Sequence, residues 1–549
     1  MSRTELRGET APGKAVLFSY LELIIIIALA CVPLFLTFPY RVNIFLSWEG
    51  AYRLSQGHVP FKDFGMPMGY VYWVVPSFFF KLFGPQLITL VKAQVFINII
   101  SGLAFRSILT SLQVNHGVRF LSVLLYCLSF SFFNFWPWYN HSVVVYEFIA
   151  IAFLLKHIFS EDKYVSWAWL FLSAVFCVLS FFTKQDAGGL CIGICLVLLA
   201  ASIVYTKKFL PLALFAGFLL LAGGLFIFPY LEHNLSYWFN YGQAPHTARL
   251  SVMDLIGDFF AESQWIKFYL FLTVLFSFAK FKKLGKAGIG LTDLLFLLLT
   301  LGILAEAAIL QVTSYTPPDN NIFFHAFAFA FLFSQLSALL QLDFLRWKPL
   351  IIGTFGLLLW WSGTYWKYIE RIAQRSLVKK ASPVKGEENI VNRSTYKLNP
   401  EPKDIPMSKW VFSGLKSFEK IYMPAPTVEG IHRLKKLNLV QPNTNQKVLN
   451  MTELTPLAVE LGFELEKGST QPLWYHLGVA MFNKQAQMFE NRVAAKHYDV
   501  VLFEHIPTLN NFYPFRVRDS LRVHYNIVDS FLAPRRGETQ GMIEVYTPK

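Results

Sequence analysis

From Leu17 to Trp366 the chain consists of apolar runs of about 17 to 25 residues, each interrupted by a short polar loop. Hydrocarbon offers no partner to a backbone N–H or C=O, so a segment that crosses a bilayer folds as a helix that satisfies its own polar groups. The runs therefore predict an α-helical polytopic membrane protein. Composition agrees: 15% of residues are charged and 54% hydrophobic, against about 25% charged in soluble domains. The first run, Leu21 to Phe38, is too long for the apolar segment of a signal peptide and lacks a small-residue cleavage pattern, so it reads as a retained helix.

The spacing predicts eleven spans, near 17–38, 86–108, 119–135, 142–158, 166–182, 187–205, 209–230, 265–280, 291–312, 322–340 and 349–367. Fifteen lysines and arginines fall in the loops of one side and five in those of the other, the tail set aside, and the positive-inside rule makes the first side cytoplasmic. Met68 to Phe83 is apolar but short and interrupted by Pro76. Counting it as a span would turn the basic stretch KFKKLGK outward, so it is expected to lie in the outer interface. An odd number of spans sends the tail outside. The domain reading is a membrane module at 1–370, a polar linker at 371–400 and an extracytoplasmic α/β domain at 401–549, in which KVLNM and YDVVLFEHI have strand character. Cys31, Cys127, Cys177, Cys191 and Cys195 all fall in apolar runs and the tail has none, which excludes a disulfide framework there and reads them as packing residues. The net charge of +14 is spread over many loop ends rather than gathered in a stripe, so nucleic acid is not an expected partner.

The polar residues that stand out lie in the loops assigned to the outer side. Glu49, in SWEGAY, sits in a short polar island between apolar elements, where partial desolvation raises a carboxyl pKa and suits it to proton transfer. From local chemistry alone, a helix cap or a pair with Arg53, four residues on, is the simpler account. Asp63, in VPFKDFG, is placed to hold a substrate hydroxyl or a cation, or simply to form the turn before Gly65 and Pro67. Lys184, in FFTKQDAGG, can meet a lipid phosphate as a point charge, or snorkel to the interface beside Asp186. In WPWYNHSV the tryptophans fit an aromatic belt, while Asn140 and His141 have the chemistry to touch a sugar or phosphate. The loop Glu232 to Arg249 holds His233 and His246 but matches no tight ligand spacing; Arg249 is its candidate for a substrate headgroup. Tyr315, in TSYTPPDNN, is similarly placed. No metal ligand set, Walker loop, dinucleotide glycine pattern or serine elbow is legible, so the sequence indicates no cofactor, a divalent metal stays open, and nucleotide-driven transport is disfavoured.

The opening stretch GHVPFKDFGMPMGYVYW after a first span and an acidic residue, followed by an amphipathic segment ending KLFG, resembles the GT-C superfamily of multi-span glycosyltransferases, particularly bacterial members related to the protein mannosyltransferase and lipid A aminoarabinose transferase families. TKQD resembles a further segment of those proteins and implies that Lys184 and Gln185 line the site. The resemblance implies a GT-C-like module with an outward tail, a polyprenyl-phosphate sugar as donor, and Glu49 as catalytic base, with Asp63 matching the Asp of the family's proline-aromatic-x-Asp-Phe segment. Trp48 stands where a first acid often stands, which leaves Glu49 alone.

The expectation is a glycosyltransferase of the bacterial inner membrane that moves a sugar from a polyprenyl-phosphate donor to a glycan, lipid or protein acceptor at the outer face. Two other readings stay open. A lipid-linked glycan flippase or transporter would line a path with mid-span charges, and few are seen: Lys92, Glu147, Asp293 and Glu306 sit inside runs, with Glu306 near a midplane. A non-catalytic membrane scaffold would act through its tail.

Overall fold

The structure is a computed structural model and describes residues 12–131, 134–243, 251–284, 289–313, 323–363, 365–366, 369, 404–440, 446–473, 475–509 and 513–549. The expected linker at 371–400 lies outside them. Fourteen helices are described in the membrane module, and the first is α1 (Pro12–Cys31), carried to Phe35 by a tight turn. α2 (Ile44–Ser55) and α3 (Val74–Phe83) belong to the first loop, and α4 (Leu87–Ser111), α5 (His116–Tyr126), α6 (Tyr139–Phe159), α7 (Lys163–Phe181), α8 (Gln185–Thr206) and α9 (Leu210–Ile227) follow. The last are α10 (Val252–Glu262), α11 (Gln264–Leu284), α12 (Leu291–Thr313), α13 (Phe323–Leu340) and α14 (Trp347–Trp360). Among the described residues, eight helices are long and apolar enough to cross a membrane.

Every expected span is a helix, but three of the eleven, α5, α11 and α14, are not among those eight, and the first is shortened. The first stops at Phe35, because Phe38–Pro39 leave the membrane pattern and form strand β1. The 119–135 span is the shorter α5, continued by a wide turn over Cys127–Ser131, and the last is the 14-residue α14. Met68–Phe83 is helical only from Val71, with Val74, Phe78, Leu82 and Phe83 on an exposed apolar face that suits an interfacial helix.

The bundle closes through α6 against α4 and α7, α8 against α7 and α12, and α13 against α12 and α5. A buried ion cluster pins three helices: Glu22 of α1 accepts from Arg106 of α4 at 2.6 Å and from Arg119 of α5 at 2.8 Å. An intramembrane carboxylate is tolerated because each oxygen has a guanidinium partner.

The tail is an α/β unit, as its runs imply. Its main sheet has the order β4-β5-β7-β6, with β4 (Val448–Met451) parallel to β5 (Val500–His505), and β7 (Met542–Pro548) antiparallel to both β5 and β6 (Tyr525–Leu532). Helices α15 (Ala425–Lys436), α16 (Leu457–Leu461), α17 (Phe482–Ala494) and α18 (Phe515–His524) cover it. The tail is no separate body on a tether. β3 (Ile421–Pro424) pairs with β2 (Trp410–Phe412) on one edge and with β1 of the first loop on the other, Phe38 opposite Ile421. One continuous apolar core runs from Trp48, Phe64 and Trp73 of that loop to Leu457, Val500 and Ile543 of the tail.

Candidate functional site

Glu49 lies on α2, whose entry turn is made by Asn43 in the left-handed region (φ 72°), a conformation its short polar side chain tolerates. The Asn43 N–H donates to Glu453 of the tail at 3.1 Å. On the other side Trp73 lies flat on the helix, its Nε1 donating to the Leu46 carbonyl at 2.8 Å. Gly50 makes that approach possible, since a Cβ there would stand 2.0 Å from the Trp73 ring. The carboxylate next to Gly50 is thus held rigidly beneath the tail.

Glu49 is 8% exposed, and its Oε1 accepts from Arg53 Nε at 2.9 Å and Nη2 at 2.8 Å. Burial raises its pKa above the ordinary carboxyl value, with Arg53 pulling the other way. Arg53 is itself fixed: its Nη1 donates to the Glu466 carbonyl at 2.8 Å and its guanidinium lies 5.4 Å from the centre of the Phe64 ring. Tail residues Glu466, Gln471, Pro472 and Tyr475 close over the pair, and the cavity left between them admits water centres over about 20 Å3, room for a single water. His58 borders the same cations; burial, then Arg53 and Lys467, push its pKa down to about 4.

Asp63 does not join Glu49 as a second acid facing the cavity. Its carboxylate accepts from the Val59 N–H at 2.8 Å, the turn-forming role, and its carbonyl accepts from the Gly468 N–H of the tail at 2.8 Å.

Lys184 caps the start of α8, 7% exposed, and donates to Asp186 at 3.0 Å. Gln185 donates to the Trp238 carbonyl at 2.7 Å, which ties the α7–α8 turn to the 231–243 loop. The first loop reaches the same turn through Gly69, where a Cβ would fall 1.6 Å from the Phe182 carbonyl oxygen. The GMPMGY segment is therefore the joint between the Glu49 loop and the Lys184 turn. Asn140 and His141 sit buried in the first turn of α6, and His141 Nδ1 faces Gln94 Nε2 at 3.3 Å, with Gln94 donating onward to Asn98 at 2.7 Å. Asn140 Oδ1 and His141 Nε2 have no hydrogen-bond partner among the described residues. Arg249 and Tyr315 lie outside the described residues.

Gln94 and Asn98 of α4 and Glu466, Gln471 and Tyr475 of the tail are site-lining residues that single-sequence reasoning missed. The first two look like ordinary polar residues in an apolar run; the last three are some 400 residues from Glu49 and carry no local motif.

A helical bundle with an α/β tail docked over its first loop is the GT-C fold, and this chain has it. Among solved structures, the chain is similar to ArnT from Cupriavidus metallidurans in the apo state, with a TM-score of 0.50, 12% identity and 98% of each chain covered. ArnT bound to undecaprenyl phosphate follows at 0.47 and 12% identity, over 97% of this chain and 98% of that one. The Archaeoglobus fulgidus oligosaccharyltransferase in complex with zinc and sulfate gives 0.45 and 12% identity, over 89% of this chain and 68% of that one. No protein-family model and no curated protein matches the sequence.

Proposed function

We propose that the protein is a glycosyltransferase of the bacterial inner membrane that takes a sugar from a polyprenyl-phosphate donor at the outer face and passes it to a glycan, lipid or protein acceptor. The observation that carries this reading is the burial of Glu49, with its raised pKa, in a loop joined through Gly69 to the turn that bears Lys184. The fold shared with ArnT and the motif order of the first loop support it. The N-terminus is then cytoplasmic and the tail extracytoplasmic.

In this mechanism the acceptor O–H gives its proton to Glu49 as its oxygen attacks the anomeric carbon. The bond from that carbon to the phosphate oxygen breaks, the polyprenyl phosphate leaves with the electron pair, and the configuration inverts. Lys184 meets the phosphate as a point charge. Asn140, His141 and Gln185, with Arg249 and Tyr315 from their loops, line the donor side, while Asp63 shapes the loop that carries the base. Arg53 holds the Glu49 carboxylate in place between turnovers.

The test is transfer by purified protein in nanodiscs, with a panel of radiolabelled polyprenyl-phosphate sugars and envelope acceptors. The wild type is expected to transfer label, and Glu49→Gln to lose about 10²–10⁴-fold in turnover with donor binding retained. Near-wild-type turnover by Glu49→Gln would sink the base assignment; a folded wild type that neither binds nor turns over any donor of the panel would sink the transferase reading.

A further inference from the structure

Three of the five cysteines converge inside the bundle. Cys177 comes from α7, and Cys191 and Cys195 lie one turn apart on the facing side of α8; all three are wholly buried. Cys177 Sγ stands 3.7 Å from Cys191 Sγ and 3.7 Å from Cys195 Sγ, and the three sulfurs lie within 4.8 Å of one another. A disulfide would need about 2.05 Å. A tetrahedral centre with metal–sulfur bonds of about 2.3 Å places its ligand atoms roughly 3.8 Å apart, which is the spacing that Cys177 keeps to both partners.

The surroundings are those of a site rather than of a packed apolar core. The Ser173 hydroxyl, wholly buried, faces Cys195 within reach of its sulfur. Glu147 of α6 and Glu306 of α12 are also buried and meet as a carboxyl pair, with no other donor among the described residues reaching either group. Glu147 is close enough to Cys177 and Cys195 to act on them electrostatically. A cleft of about 190 Å3 between α8 and α12, lined by Gly193, Ile194 and Gly302, runs down to Glu306.

We propose that Cys177, Cys191 and Cys195 bind one soft, thiophilic d10 cation, Zn(II) or Cu(I), as three thiolates inside the membrane bundle. Thiolate sulfur selects these ions over hard cations such as magnesium or calcium. Glu147 stands beside the thiolates as a fourth ligand for Zn(II), reached by a change of its side-chain rotamer; Cu(I) is content with the three sulfurs. The ion's role is structural. It ties α7 to α8 just below the turn Phe182–Lys184, and so fixes the helix end from which Lys184 projects. The proposal does not depend on the transferase reading.

The test is metal content of the full-length protein in detergent after equilibration with Zn(II), or with Cu(I) under reducing conditions, followed by removal of loose metal. About one equivalent of one of the two ions is expected in the wild type and in Cys31→Ala and Cys127→Ala. Cys191→Ala and Cys195→Ala are expected to fall at least tenfold. X-ray absorption at the metal edge of the unmutated protein gives a reading free of any folding defect in the variants, and three sulfur neighbours at about 2.3 Å are expected. An oxygen and nitrogen shell without sulfur, a disulfide between Cys177 and Cys191 found by mass spectrometry, metal retained by the two cysteine variants, or no stoichiometric binding of either ion would each overturn the proposal.

Discussion

Glu49 and Arg53 satisfy each other so completely that the pair explains why an acid is tolerated in an apolar setting. The charge is desolvated, which raises the carboxyl pKa, and one well-aligned guanidinium keeps it from being lost altogether. His58 reports on the same pocket. Its imidazole titrates near pH 6.5 in an unfolded chain but is pushed down to about 4 here, first by burial and then by Arg53 and Lys467. On acidification the unfolded chain takes the proton first, so the contribution of His58 to stability is complete above pH 6.5 and is lost as the pH falls towards about 4. The melting temperature of the wild type in detergent is expected to drop between pH 6.5 and 4 more steeply than that of His58→Gln, which carries no titrating group. Parallel curves for the two proteins would show that His58 does not feel the pocket.

At the scale of elements, the GMPMGY segment is a joint. Gly69 packs directly on the backbone of the α7–α8 turn, and because its would-be neighbour is a carbonyl oxygen at 1.6 Å, no side-chain rearrangement makes room for a methyl group. Gly69→Ala is expected to push the first loop from the Lys184 turn by an ångström or more and to cost about 10²-fold in turnover, the usual penalty of such a misplacement. Gly189→Ala, on α8 with open space around it, is expected to leave turnover unchanged, and equal activity of the two variants would remove the joint from the mechanism. The same contrast explains what could be read in advance. Length and hydropathy located a helix for every expected span, because each signal is local to its run. The strand runs 447–451 and 498–506 were legible for the same reason and became β4 and β5. Span ends were less legible: Phe38 looks like the last residue of an apolar run, and only its pairing with Ile421, nearly 400 residues on, makes it a strand. The meeting of the three cysteines is not legible in the chain, because Cys177 belongs to a different helix from Cys191 and Cys195 and no spacing announces it.

At the scale of the whole molecule, the tail is part of the site. Arg535 bridges Glu453 and Glu504 inside it, and Glu453 in turn accepts from Asn43 at the start of α2. Gly65 and Gln471 are bound backbone to backbone at 2.9 Å, Asn240 holds Gly478 and Ala480, and Asn234 donates to the Ser469 carbonyl at 3.0 Å. The loops that carry Glu49, Lys184 and Asn240 therefore share one face of the bundle with the tail, as the loop charges imply. This closure has a consequence for turnover. Pockets that hold small ligands run to about 300–1,000 Å3, whereas the cavity at Glu49 has room for one water. On the proposed mechanism, an acceptor reaches the carboxylate only if the segment from Phe463 to Pro472 lifts from the first loop. Cross-linking that segment through a disulfide between Asn234→Cys and Ser469→Cys is expected to stop transfer under oxidising conditions while leaving donor binding intact, and reductant is expected to restore it. The native cysteines do not interfere, since all but Cys31 are buried in the bundle. Full turnover with the cross-link closed, verified by mass spectrometry, would mean that the acceptor enters by another route and that the tail is a fixed wall of the site.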